Sequence, residues 1–277
     1  MLRDDSAPGT KMSELTDPAR EIVDTILSIQ GKHQDTGEKV LSDNFSLPVW
    51  SSGFYQILFH INTRIEELAA SVLKLDLDED FKRDAVAHLM EIQQAFGPNG
   101  LRNHWQHTLA NFLSPENVNP IKFLSPLIRS KISYPKLTDE EVADVQAQCE
   151  ELLTWLEEHQ AAKHDFIRQA LIEGLLNLNF RLLHFQWLGW GYCIKSLREV
   201  ISAYMALEQA APSLDSELVS SAMMQKTRTF LSNTFKIMKV AKDLDDVAGL
   251  SLKMYGAVSA VAQGKSIISG LLTHTQP

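Results

Sequence analysis

Residues 165–208 read DFIRQALIEGLLNLNFRLLHFQWLGWGYCIKSLREVISAYMALE. Apolar side chains recur at spacings of three and four: Phe166, Ala170, Ile172, Leu175, Leu176, Leu178, Leu182, Leu183, Phe185, Leu188, Ile194, Leu197, Ile201 and Tyr204. That period, with no proline to interrupt it, is the signature of a helix. Near its middle the apolar residues fill more than one stripe, so several other helices have to cover it. Gly189 and Gly191 weaken the helix at one place and predict a kink, or two helices in series. The stretch is therefore expected to be the spine of an all-α fold.

Working outward, Asp17 followed by Pro18 predicts a helix start, with Ile22, Val23, Ile26 and Leu27 turned inward and Gly31 at its end. Residues 32–48 are polar with scattered apolar side chains and read as a long packed loop. Ser51 or Ser52 then opens a strong helix, and Asp78 caps the next, which Gly97 and Pro98 stop. LRNHWQHTLANFL, residues 101–113, predicts a short helix. Pro115, Pro120, Pro126 and Pro135 argue against a long regular helix over 114–135 and suggest a segment draped on the core. Thr138 with Glu141 forms a capping box, and Leu137 with Val142 a hydrophobic staple. After a break at Ala211, Pro212 and Ser213, a long helix is expected from Ser216 to Lys242, then a last segment to about Leu272. No alternating strand pattern and no internal repeat is present. The reading is a multi-helix bundle with a C-terminal helical pair: a flexible tail over 1–16, a bundle domain over 17–210, and the pair over 211–277.

The chain of 277 residues is long enough to bury a sizeable core. Its 35 acidic against 26 basic residues give a net charge of -9, a field that repels nucleic-acid phosphates, and no DNA binding is expected. Cys149 and Cys193 are expected as buried thiols rather than a disulfide. The opening residues MLRDDSAPGTKMSEL lack the apolar core of a secretory signal, and no uncharged apolar run is long enough for a bilayer, which together predict a cytoplasmic protein.

Five constellations bear on function. Arg102-Asn103-His104-Trp105-Gln106-His107 sets an arginine and an amide a few residues before a histidine. Guanidinium clamps phosphate and imidazole moves protons near neutral pH. These six residues resemble the signature of the HEPN ribonucleases, an all-helical family that cuts RNA without a metal, usually across a dimer. The resemblance implies Arg102 on the scissile phosphate, Asn103 positioning it and His107 transferring protons; Arg83-Asp84-Ala85-Val86-Ala87-His88 fits the same pattern. His104 and His107 also form a His-x-x-His pair, but no third ligand is evident, so no metal and no cofactor is expected.

Within the spine, Arg181 and His184 share a helix face among Trp187 and Trp190, the makings of a pocket with a few convergent polar groups. The acidic run Asp76, Asp78, Glu79 and Asp80 reads as a helix cap without calcium-loop spacing. Residues 248–272, AGLSLKMYGAVSAVAQGKSIISGLL, combine small side chains with only two lysines. Such a segment suits close helix packing, on the bundle or on a second copy, or a membrane surface. The leading expectation is a non-catalytic helical protein acting through protein partners or as a homo-oligomer. The alternatives are a HEPN-like ribonuclease acting on RNA and an effector whose last helix meets a membrane.

Overall fold

Asp17 begins the first helix. Its carboxylate accepts from the Arg20 amide at 3.0 Å, Pro18 occupies the first helical position, and helix α1 runs Pro18–Ser28. The computed structural model describes residues 15–29, 34–160, 165–210 and 218–237. Residues 1–14 of the expected tail and the segment 248–272 fall outside the described residues, as does all of the C-terminal pair except α12 (Leu218–Ile237). The last two tail residues, Leu15 and Thr16, are paired in a short strand rather than free.

The architecture is all-α. Helices α2 (Gly37–Phe45), α3 (Ser52–Leu73), α4 (Glu79–Gln94), α5 (Pro98–Arg102), α6 (Trp105–Asn111) and α7 (Pro115–Arg129) follow α1. Then come α8 (Asp139–Glu158), α9 (Asp165–Leu183), α10 (Phe185–Leu188) and α11 (Trp190–Ala210). A two-residue antiparallel pairing, β1 (Leu15–Thr16) with β2 (Tyr134–Pro135), ties the two ends of the N-terminal half together. No helix of the described residues is long and apolar enough to cross a membrane.

Cap chemistry fixes most of these boundaries. Ser51 accepts from the Phe54 amide to start α3, and Asp78 accepts from the amides of Asp80 and Phe81 to start α4. At α8 the capping box is complete: Thr138 accepts from the Glu141 amide at 3.2 Å while Glu141 accepts from the Thr138 amide at 2.8 Å.

The apolar residues form two clusters. One draws on α1 to α7, with Ile26, Phe54, Ile65, Leu89, Trp105 and Ile121 at its centre. The other is built from α8, α9, α11 and α12. The spine organises the second cluster and reaches the first through Trp187 and Leu188, with Phe180 packed against it. Gly174 lies against Val200, Asn177 bonds Glu199, and Arg181 bonds the Tyr192 carbonyl, so one number falls as the other rises and α9 and α11 are antiparallel.

Three local expectations are corrected. Residues 37–45 are the helix α2 rather than loop, because Val40, Leu41 and Phe45 are buried and supply the packing that the polar sequence does not advertise. Pro120 and Pro126 lie inside the 15-residue helix α7. An interior proline costs about 3 kcal/mol, and here the continuous buried stripe of Val118, Ile121, Leu124 and Ile128 against α1 and α4 outweighs it. In α9 the inward face is Ile167, Leu171, Leu175, Leu178 and Leu182, whereas Phe166, Ala170, Leu176 and Leu183 face outward.

The spine breaks where its glycines stand. Gly189 has φ +74°, a left-handed conformation that a side chain resists, and it ends the single turn α10. Trp187 and Trp190 are 3% and 0% exposed on either side of it. The bend drives α10 out of the second cluster as a plug into the first, where Trp187 meets Phe45 edge-on at 5.2 Å.

Candidate functional site

Arg102, Asn103 and His107 do not share a helix. Arg102 is the last residue of α5, Asn103 is extended at φ -82°, ψ 161°, and His107 belongs to α6. The bend between them is held from outside. The Asn103 carbonyl accepts from the Gly37 amide at 2.9 Å, and the Trp105 amide donates to the Asp35 carbonyl at 2.9 Å. Trp105 itself is fully buried and its indole Nε1 donates to the Ile29 carbonyl at 3.2 Å. All three side chains of the ribonuclease-like string are exposed. His107 Nε2 meets the Asn111 amide nitrogen at 2.9 Å, and the α5 turn is secured by Thr108, which donates to the Gly100 carbonyl at 3.0 Å, rather than by His107.

The second copy of the pattern is similarly dispersed. Arg83 pairs with Asp80 at 2.9 Å on the surface, while His88 Nδ1 meets Asn117 Oδ1 at 3.0 Å. His104 Nδ1 meets the Gln34 carbonyl at 2.6 Å. Among the described residues no group of three or more His, Cys, Asp or Glu is placed to hold a metal. Cys149 and Cys193 are buried free thiols, and burial pushes both pKa values up, Cys149 to about 12.

The four residues read as a pocket in the spine go to different tasks. Arg181 donates to the Tyr192 carbonyl at 3.2 Å and lies 5.9 Å from the centre of that ring. His184 packs on Phe180 at 4.6 Å, and partial burial lowers its pKa. Trp187 belongs to the first cluster and Trp190 to the second. Beside them lies a polar junction: Glu21 Oε2 is 3.3 Å from Arg64, Glu21 Oε1 accepts from the Trp190 amide at 2.9 Å, and Arg64 donates to the Trp187 carbonyl at 2.7 Å. The cavity here is about 40 Å³, room for water and little else.

A different face is open. Trp50, Tyr55 and Phe59 are 43%, 55% and 67% exposed, and they border a groove of about 710 Å³ between the start of α3 and α5. Its floor is Leu58, Phe96 and Leu101, its end Gly97 and Pro98, and Arg102 lies at its lip. Neither Asn103 nor His107 lines it. Tyr55 and Phe59 stand four apart on α3, off the buried face of Phe54, Ile57, Leu58, Ile61 and Ile65, so they share an outward stripe. Trp50 packs on Phe54 and on Tyr55, both at 5.5 Å between ring centres.

Trp50 is also held in the left-handed region, at φ 62°. For a bulky side chain this conformation is strained, at a cost of order 1–3 kcal/mol, and persists only where the surroundings enforce it. The enforcement is visible: the Ser51 amide donates back to the Pro48 carbonyl at 3.1 Å, immediately before the α3 cap. The strained backbone presents the indole to solvent beside two other aromatic rings. No family model, no curated protein and no solved structure matches this chain. The groove therefore has to be read from its own chemistry.

That chemistry is apolar and aromatic, with one cationic side chain at the edge. Aromatic rings in a shallow groove supply apolar area and defined ring edges. The Arg102 side chain forms no ion pair or hydrogen bond among the described residues, so its guanidinium is available to an incoming group. The groove between α8 and α12, of about 460 Å³, is a weaker contender, since six of the nine residues lining it, Gln148, Glu151, Gln225, Lys226, Thr229 and Asn233, are polar or charged. The aromatic groove was missed at the sequence level. Its signal was the four-residue spacing of Tyr55 and Phe59 beside the core stripe, with a tryptophan just before the helix cap.

Proposed function

We propose that this chain is a non-catalytic helical protein that acts by seating a protein partner in the groove between α3 and α5. One observation carries the reading: Trp50, Tyr55 and Phe59 are exposed together along a concave apolar surface. Scattered exposed apolar residues such as Phe123 need no explanation, but a contiguous aromatic patch in a groove does. Aromatic residues and arginine are also the side chains enriched at the energetic centres of protein interfaces.

The competing reading is a metal-independent ribonuclease using Arg102, Asn103 and His107. It requires Arg102 at the end of α5, Asn103 in the bend and His107 in α6 to act on one phosphodiester, in a chain whose net charge of -9 opposes RNA.

Crosslinking and co-purification from the cells that express the protein test the proposal. Tagged wild type is compared with Phe59→Ser and with Phe123→Ser, an equally exposed phenylalanine on α7. A protein partner recovered by wild type and by Phe123→Ser, and lost with Phe59→Ser, is the expected result. Recovery indifferent to Phe59, or chelator-insensitive RNA cleavage that Arg102→Ala abolishes, would overturn it.

A further inference from the structure

The groove has a chemical asymmetry that constrains its occupant. Its walls are aromatic and aliphatic, and Arg102 is the one charged residue among those that line it. Glu66, two turns beyond Phe59 on the same face of α3, accepts from Gln93 at 2.8 Å and does not line the groove. From this arrangement we infer that the groove takes a linear protein segment in which a large apolar or aromatic side chain lies beside a carboxylate, the carboxylate pairing with Arg102. The inference rests on the docking function proposed above and names the chemistry of its partner.

Charge complementarity selects this occupant over the others. Any segment that fills the aromatic part of the groove covers the aliphatic stem of Arg102 and strips water from its guanidinium. A bare arginine at the edge of an apolar contact is penalised, while a carboxylate gives it a charge-assisted, potentially bidentate pair. A lysine or arginine at the same place would be repelled. The chain's overall acidity acts against an acidic partner only over distance. Physiological salt screens exposed charges beyond about 8 Å, so the local guanidinium dominates.

Single-stranded RNA also stacks on exposed aromatic rings, but it needs a basic track for its phosphates. One cation at the lip is not such a track. A second copy of this chain would have to bring a self-complementary patch of the same kind, apolar with its own arginine, and so set Arg102 near its twin in an isologous pair.

A displayed library of 12-residue peptides, selected on the full-length wild-type protein and separately on Arg102→Glu, tests the inference. Binding of selected peptides is then read by fluorescence anisotropy and by tryptophan emission. Trp50 is the most exposed of the tryptophans described, so a groove ligand shifts its emission to the blue and Trp50→Phe removes that shift. Wild type is expected to enrich peptides with Asp or Glu next to Phe, Leu or Trp. Arg102→Glu is expected to bind those peptides at least ten-fold more weakly and to enrich lysine or arginine in their place, with Arg102→Gln intermediate and all three proteins equally stable to heat.

Enrichment with no acidic preference, the same preference in Arg102→Glu, or no enriched peptide overturns the inference. So does a Phe59-dependent dimer in sedimentation, or single-stranded RNA bound at the groove. If partner recovery in cells depends on Phe59 while the library shows no acidic preference, only the peptide chemistry fails. If recovery is indifferent to Phe59, the docking function fails and this inference with it.

Discussion

Arg64 donates a 2.7 Å hydrogen bond to the carbonyl of Trp187, a residue 123 positions further along the chain. The bond is buried, and it fastens the plug α10 into the core of the first cluster. Arg64 is 6% exposed and faces Glu21 at 3.3 Å, and Glu21 in turn accepts from the Trp190 amide. One guanidinium and one carboxylate thus satisfy the backbone groups that the spine exposes where it bends at Gly189.

Removing Arg64 should be among the most damaging single changes in the chain. Arg64→Ala strands a nearly buried carboxylate and an unpaired carbonyl, a loss of about 3–5 kcal/mol. Urea unfolding of the variant measures it. A loss below about 1 kcal/mol would mean that water replaces the guanidinium without difficulty.

Glu21 gives the junction a pH dependence of definite sign. Burial raises its pKa above 4.5, and the opposing pull of Arg64 and the Trp190 amide does not cancel the shift. A carboxyl that is more basic in the folded chain contributes stability that is fully present below its unfolded pKa, and lost as the pH rises through its folded one. Wild type should therefore gain stability relative to Glu21→Gln as the pH falls from 7 toward 4.5. Paired urea melts across that window check it, and a gap that narrows in favour of the variant on acidification would contradict it.

Gly189→Ala should destabilise by about 2–4 kcal/mol, from the left-handed backbone and from overpacking together. A methyl group there would collide with Glu21 Oε2 and lie 2.6 Å from Arg64 Nη2. Thermal denaturation beside Gly97→Ala, where a methyl meets only ordinary contacts of 3.6 Å and more, separates the local clash from a general effect of the substitution.

Much of the fold could be read from the sequence because its helix starts are written in short-range chemistry. Asp17 with Pro18, Ser51, Asp78, and Thr138 with Glu141 each cap the helix they announce, and the spine bends at Gly189. What was hidden depended on neighbours far along the chain. Helix α2 exists because its few apolar side chains find a core, and α7 survives two interior prolines for the same reason. The string from Arg102 to His107 reads as one helix until Gly37 and Asp35 claim its backbone and bend it. Trp50, Tyr55 and Phe59 were hidden more deeply. Aromatic residues at helical spacing read as core, and only the placement of α5 decides which face stays in water.

Trp50→Gly separates stability from recognition. Glycine adopts φ 62° without strain, so relief of about 1 kcal/mol offsets the lost ring contacts and the melting temperature should stay within a few degrees of wild type. Partner capture should nevertheless fall sharply, because one wall of the groove is gone. A variant that captures as well as wild type would remove Trp50 from the docking surface.

Hydrogen exchange on the purified protein, with and without the recovered partner, tests the docking claim most directly. Protection is predicted for residues 48–60 and 96–102, the two segments that build the groove, with α8, α9 and α12 unchanged. Protection confined to α8 and α12, or none at all in the α3 and α5 segments, would contradict it.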